Sequence, residues 1–157
     1  MTPHFPLGPL TDLARSRTDD AAQRLGELQQ AKASAAQQLD LLLQYRRDYS
    51  QQLQSQMRGG MRSAQWRNYQ QFLSTLDGGI EQQRAASTQA EVRLDHGRIA
   101  WQHQKQRLNA FETLAERLQR QERLAQNRRE QRESDEHAAR KSAAGASQDA
   151  TLHRELP

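Results

Sequence analysis

The 157-residue chain contains no cysteine, which excludes disulfide bridges and thiolate metal sites. Proline is confined to positions 3, 6, 9 and 157, so nothing forbids helix on steric grounds from Leu10 to Leu156. Aromatic residues make up 5% and hydrophobic residues 34% of the chain. That is too little apolar side chain to fill a thick two-layer core. No apolar run approaches the ~18 residues that a membrane span needs, and no signal-peptide core follows Met1. Charge of neither sign dominates, with 23 Lys and Arg against 19 Asp and Glu. The mean hydropathy is −1.08. What remains is mostly Ala, Leu, Gln, Arg and Glu, which are good helix formers. This composition fits a long helix, a coiled coil or a disordered chain, and periodicity separates them.

Residues 1–9 hold the internal prolines and read as a flexible N-terminal tail. From Ala14, steps of four and three visit Thr18, Ala21, Leu25, Leu28, Lys32, Ala35, Leu39, Leu42, Arg46, Tyr49 and Leu53, and nine of the twelve positions are apolar. The stretch 57–63 (MRGGMRS) interrupts the pattern. Two adjacent glycines inside a helix cost roughly 2 kcal/mol relative to alanine, so the spacing predicts a turn there. A second seam runs from Trp66 through Tyr69, Leu73, Leu76, Ile80, Leu94, Trp101, Leu108, Phe111 and Leu118 to Ala125, with thirteen of eighteen positions apolar. It crosses Gly78-Gly79 without a slip, so one continuous helix is expected. A heptad repeat sustained this long signals a coiled coil.

The expected fold is therefore all-α: an antiparallel two-helix coiled-coil hairpin with a long C-terminal helical overhang. The expected bounds are helix 10–57, turn 58–63 and helix 64–141, with 142–157 a disordered tail. Closing the hairpin at the glycines pairs positions whose numbers sum to about 122. Leu53 then faces Tyr69, Leu42 faces Ile80 and Leu28 faces Leu94. The register also sets large against small: Trp101 on Ala21, Gly97 beside Leu25, Leu108 on Ala14. Thr18 meets Gln104, polar on polar.

Two surfaces stand out. The g edge collects Gln38 and Tyr45 from the first helix with Phe72 and Gly79 from the second. Its aromatics either broaden the seam or form an exposed patch for a partner. The opposite edge (Gln70, Asp77, Arg84, Glu91, Arg98, Lys105) reads as solvated charge. Beyond about Glu112 the second helix has no intramolecular mate, yet it still carries Leu114, Leu118 and Leu124. Arginines 46, 47, 58, 62 and 67 cluster near the turn with only Asp48 against them; a phosphate-binding surface would explain the cluster, and so would a plain solvated turn, the preferred reading. No basic-zipper region or zinc-finger spacing is present, and no nucleic-acid partner is expected.

Chemistry has little to stand on. There is no phosphate-binding glycine loop and no HEXXH. His96 and His103 sit two turns apart, ~10 Å, too far for one metal without outside ligands. Neither an enzyme nor a cofactor is expected.

The segments 12–28 (DLARSRTDDAAQRLGEL), 38–53 (QLDLLLQYRRDYSQQL) and 65–83 (QWRNYQQFLSTLDGGIEQQ) resemble the flagellar FliJ family. The likeness continues through 101–108 (WQHQKQRL) and 125–140 (AQNRREQRESDEHAAR), and the string WxNYQQF is its most specific piece. The resemblance implies a cytoplasmic component of the flagellar type III export apparatus, peripherally associated with the inner membrane through its partners alone. Those implied partners are the export ATPase hexamer, the cytoplasmic domain of the export gate, and flagellar export chaperones. Carried over by position, the gate contact comprises Gln38, Leu42, Tyr45, Tyr49, Phe72, Leu76, Gly79 and Gln83. Gly79 and Gln83 depart from the Ala and His of other members. The ATPase-facing part is the overhang, with Leu114, Leu118 and Leu124 as its apolar contacts. A structural coiled coil that only homodimerises is the alternative reading.

Overall fold

The structure, a computed structural model, describes residues 7–154. Among the described residues there are two helices: α1, Leu7–Arg58, and α2, Ser63–Leu152. The chain divides into two units, one spanning Pro9–Leu108 and the other holding Asn109–Pro157 with Met1–Gly8.

The Pro9–Leu108 unit is a helical hairpin. The link between its helices is short because glycine makes it possible. Gly59 N–H donates to Gln56 O at 3.2 Å and Gly60 N–H to Met57 O at 3.4 Å, tightening the end of α1. Gly60 then takes a φ of +85°. That left-handed conformation costs a side-chain-bearing residue energy and glycine almost nothing, so the helix stops here.

The two arms run antiparallel, because partners on α2 move back along the chain as those on α1 move forward. Thr18 Oγ1 donates to Gln104 O at 3.1 Å. Gln83 Nε2 donates to Ala35 O at 3.1 Å. The Arg46 guanidinium holds the Asp77 carboxylate. The Tyr69 hydroxyl donates to Gln56 Oε1 at 2.8 Å. Each contact lies within about one helical turn of the expected register. A Cβ built on Gly97 would stand 2.5 Å from Leu28 Cδ1 and 3.7 Å from Leu25 Cδ1, so at Gly97 the side chains of the facing arm pack closely over the α2 backbone.

Burial follows the heptads. All twelve seam positions of α1 are buried or half-buried, and so is every α2 seam position from Tyr69 to Ala115. The most enclosed apolar side chains are Leu94 at 3% exposure, Ile80 at 4% and Leu108 at 5%. Among the described residues no large side chain is fully sealed, which is what two helices without a third layer can achieve. Thr18 is buried and carries two acceptors, Ala14 O at 2.8 Å and Gln104 O, so its hydroxyl does not cost an unpaired polar group.

Helix extends past the expected limits at both ends. At the start, Pro9 lies inside the first turn of α1, where its missing N–H has no helical acceptor anyway. At the far end α2 continues to Leu152. Loss of period after residue 140 removes a packing face, but Ala143, Ala144, Ala146 and Ala150 keep helix propensity high. Residues 1–6 of the expected N-terminal tail and 155–157 of the C-terminal one lie outside the described residues.

Candidate protein-docking surface

On α1, Tyr45, Tyr49 and Gln52 recur at helical spacing and form one stripe. Phe72 and Leu76 form the matching stripe on α2. Together with Asp48, Gln51 and Ser55 they line an open groove of about 660 Å³ along the hairpin. The Tyr49 ring anchors it, tilted against Phe72 with centroids 4.3 Å apart and against Tyr69 at 5.0 Å. Such tilted pairs contribute ~0.5–1.5 kcal/mol beyond their burial. Phe72 is nevertheless 47% exposed and Tyr45 56% exposed. Phe72 therefore packs against Tyr49 and still leaves much of its surface open. Tyr45 stands clear.

Six of the eight residues of the expected gate contact form two clusters in the hairpin. Tyr45, Tyr49, Phe72 and Leu76 make the aromatic groove. Gln38 and Gln83 meet one step along, where Gln83 Nε2 also donates to Gln38 Oε1 at 3.2 Å. Gln83 spends its amide on the hairpin itself. Leu42 is a half-buried seam residue, and Gly79 is half-buried with open space where a Cβ would stand. Sequence reasoning overlooked Asp48, Gln52 and Ser55 on the groove's rim. Their spacing from Tyr45 and Tyr49 on one helix face was the available signal.

The ion pair Arg46–Asp77 corrects two expectations. Arg46 is not a free cation of the turn, and Asp77 is not merely solvated charge. Arg46 Nη2 donates to Asp77 Oδ2 at 3.3 Å, and Nε donates to Oδ1. This hydrogen bonding holds the Asp77 carboxyl below the usual carboxylate range; the guanidinium's charge adds to the effect and desolvation opposes it. The same hydrogen bonding, helped by the carboxylate's charge, raises Arg46. Both side chains are about half exposed, so water screens the pair. The clue in the sequence was an arginine at a seam position with an acid one residue off register across from it. Asp48, expected to oppose the turn arginines, instead accepts from Gln44 Nε2 at 3.0 Å.

In the Asn109–Pro157 unit, Leu114 is 46%, Leu118 41% and Leu124 57% exposed. Every residue from 116 to 154 is exposed. These leucines share a helix that presents its apolar side chains to solvent.

The family model described as "Flagellar FliJ protein" matches residues 3–147. The "Flagellar FliJ protein" of Salmonella typhi is 41% identical over 140 residues, covering 89% of this chain and 95% of the relative. That of Escherichia coli (strain K12) is 40% identical over 140 residues with the same coverage. A two-helix hairpin with a polar exterior and one aromatic groove thus sits inside a match that takes in nearly the whole chain, and the chain belongs to the flagellar FliJ family.

Proposed function

We propose that this chain is an adaptor of the flagellar type III export apparatus. In this reading the coiled coil acts as a stalk that links the export ATPase hexamer to the transmembrane export gate and recycles export chaperones. It works in the cytoplasm, held at the inner membrane by its partners. The role is binding rather than catalysis.

One observation carries the proposal: an exposed aromatic groove, Tyr45–Tyr49–Phe72–Leu76, on a hairpin whose surface is otherwise largely polar. Aromatic side chains held by packing on one side and open on the other are the material of binding hot spots. The groove coincides with half of the contact set that the family resemblance implies. The exposed Leu114, Leu118 and Leu124 support a second docking element, assigned here to the ATPase.

The first test is calorimetric titration of the gate's cytoplasmic domain with the full chain. Tyr45→Ala with Phe72→Ala is expected to weaken binding roughly tenfold or more while circular dichroism stays unchanged. Unchanged affinity removes the groove from the interface. Lost helicity assigns the two rings to the core. The second test is light scattering with the cognate ATPase, where deletion of 112–141 is expected to abolish the complex. A complex that survives deletion moves the ATPase site elsewhere. Self-association through the same segment would favour the homodimer reading.

A further inference from the structure

The closed end of the hairpin has a composition unlike the rest. From residue 49 to residue 76 there is no aspartate or glutamate, while Arg58, Arg62 and Arg67 are all present. The nearest acids are Asp48 on α1 and Asp77 on α2, about 15 and 20 Å along their helices from the turn. Asp77 is already held by Arg46 and Asp48 by Gln44. Arg58, Arg62 and Arg67 are exposed and make no ion pair or side-chain hydrogen bond among the described residues. Beside them Met57, Met61, Ser63 and Trp66 line an open depression, with Met57 52% and Trp66 42% exposed. Trp66 departs from its seam: it is the one α2 seam position before Leu118 that is exposed.

We propose that this tip docks directly on an anionic phospholipid surface. Three unneutralised guanidinium groups are attracted to acidic headgroups, at about 1 kcal/mol for each cation near the surface. An indole and two thioethers at the same end suit the boundary between headgroups and acyl chains, where tryptophan is enriched. The depression at the tip is open and lined by only four residues, which fits a flat layer better than an extended peptide. The basic stripe is also short, because charges of both signs resume beyond Asp48 and Asp77. A nucleic acid would engage a longer run of cations. The proposal stands apart from the export reading, and it departs from the expectation that this chain reaches the membrane through partners alone.

The experiment uses the full chain and vesicles of phosphatidylcholine, with and without one third phosphatidylglycerol, in low salt. The probe is Trp66 emission in a Trp101→Phe background whose helicity is checked by circular dichroism. Partition onto anionic vesicles with a blue shift of Trp66 is expected, with little binding to pure phosphatidylcholine and release by high salt. Arg58→Gln, Arg62→Gln and Arg67→Gln together should lower the partition coefficient roughly 100-fold. Trp66→Ala should lower it several-fold, read by co-sedimentation. Three results overturn the proposal. The first is no binding to anionic vesicles. The second is binding that survives the triple variant, which places it in another cationic segment. The third is displacement by soluble polyglutamate with Trp66 emission unmoved, which indicates an acidic protein surface instead.

Discussion

Leu94 and Leu118 both lie on the heptad seam of the same helix, one at an a and the other at a d position, yet Leu94 is 3% and Leu118 41% exposed. The first belongs to the Pro9–Leu108 hairpin and the second to the Asn109–Pro157 unit. Both sit among charged residues: Glu91, Arg93 and Arg98 near Leu94, and Glu116, Arg117 and Arg120 near Leu118. What separates them is whether a neighbouring helix covers the stripe. A heptad pattern thus records a disposition to pack and says nothing about the identity of the cover. In the hairpin the chain covers itself. In the distal unit the leucines stay open.

The sharpest way to break this comparison is to truncate both leucines. Leu94→Ala is expected to cost about 2–5 kcal/mol in urea unfolding followed by circular dichroism. Leu118→Ala should stay within about 0.5 kcal/mol. Equal costs would mean that the distal leucines are covered in solution, by a second copy for instance.

Glycine gives a comparison of opposite signs. Adding a Cβ at Gly97 meets Leu28 Cδ1 at 2.5 Å, and Leu28 is itself buried. Overpacking of this kind costs about 1–3 kcal/mol, against about 1 kcal/mol gained in helix propensity. Gly97→Ala is therefore expected to lower the melting temperature. At Gly145 nothing lies within 4 Å, so Gly145→Ala keeps only the gain and should raise helical content. A stabilising Gly97→Ala would show that the arms are looser than their contacts indicate.

The smallest effect concerns acid. Asp77 is held below its unfolded value, so its contribution is present above the unfolded carboxylate pKa. It is lost as pH falls through the lower folded value. Asp77→Asn should melt slightly earlier than the parent at neutral pH, and the two should converge below the folded value. Because the pair is half exposed, high salt should narrow the difference. A gap that persists in strong acid would assign the loss to packing.

Much of the fold was legible because a two-helix coil is nearly one-dimensional. Once the period and the glycine turn are known, the facing layers follow, as Thr18 on Gln104 and Gly97 beside Leu25 demonstrate. The ends were less legible. Helix continues where packing stops, and heptads report only packing, so Leu152 could not be read from them. The groove was legible in part. Tyr45 and Phe72 stood out as surplus aromatics, but the rim residues Gln52 and Ser55 are polar and resemble ordinary surface. The Arg46–Asp77 clasp escaped because the arginine was counted with its neighbours along the chain instead of its neighbours across it.

The glycine turn has a consequence for how the molecule forms. Contacts next to it, such as Tyr69 with Gln56, join residues 13 apart, whereas Thr18 and Gln104 are 86 apart. The layers between them span steadily wider loops. Closing the far layers first would cost the most chain entropy, while closing them in succession adds little at each step. The arms are therefore expected to join as a zipper, starting beside Leu53 and finishing at Ala14, with transition-state φ-values declining along that path.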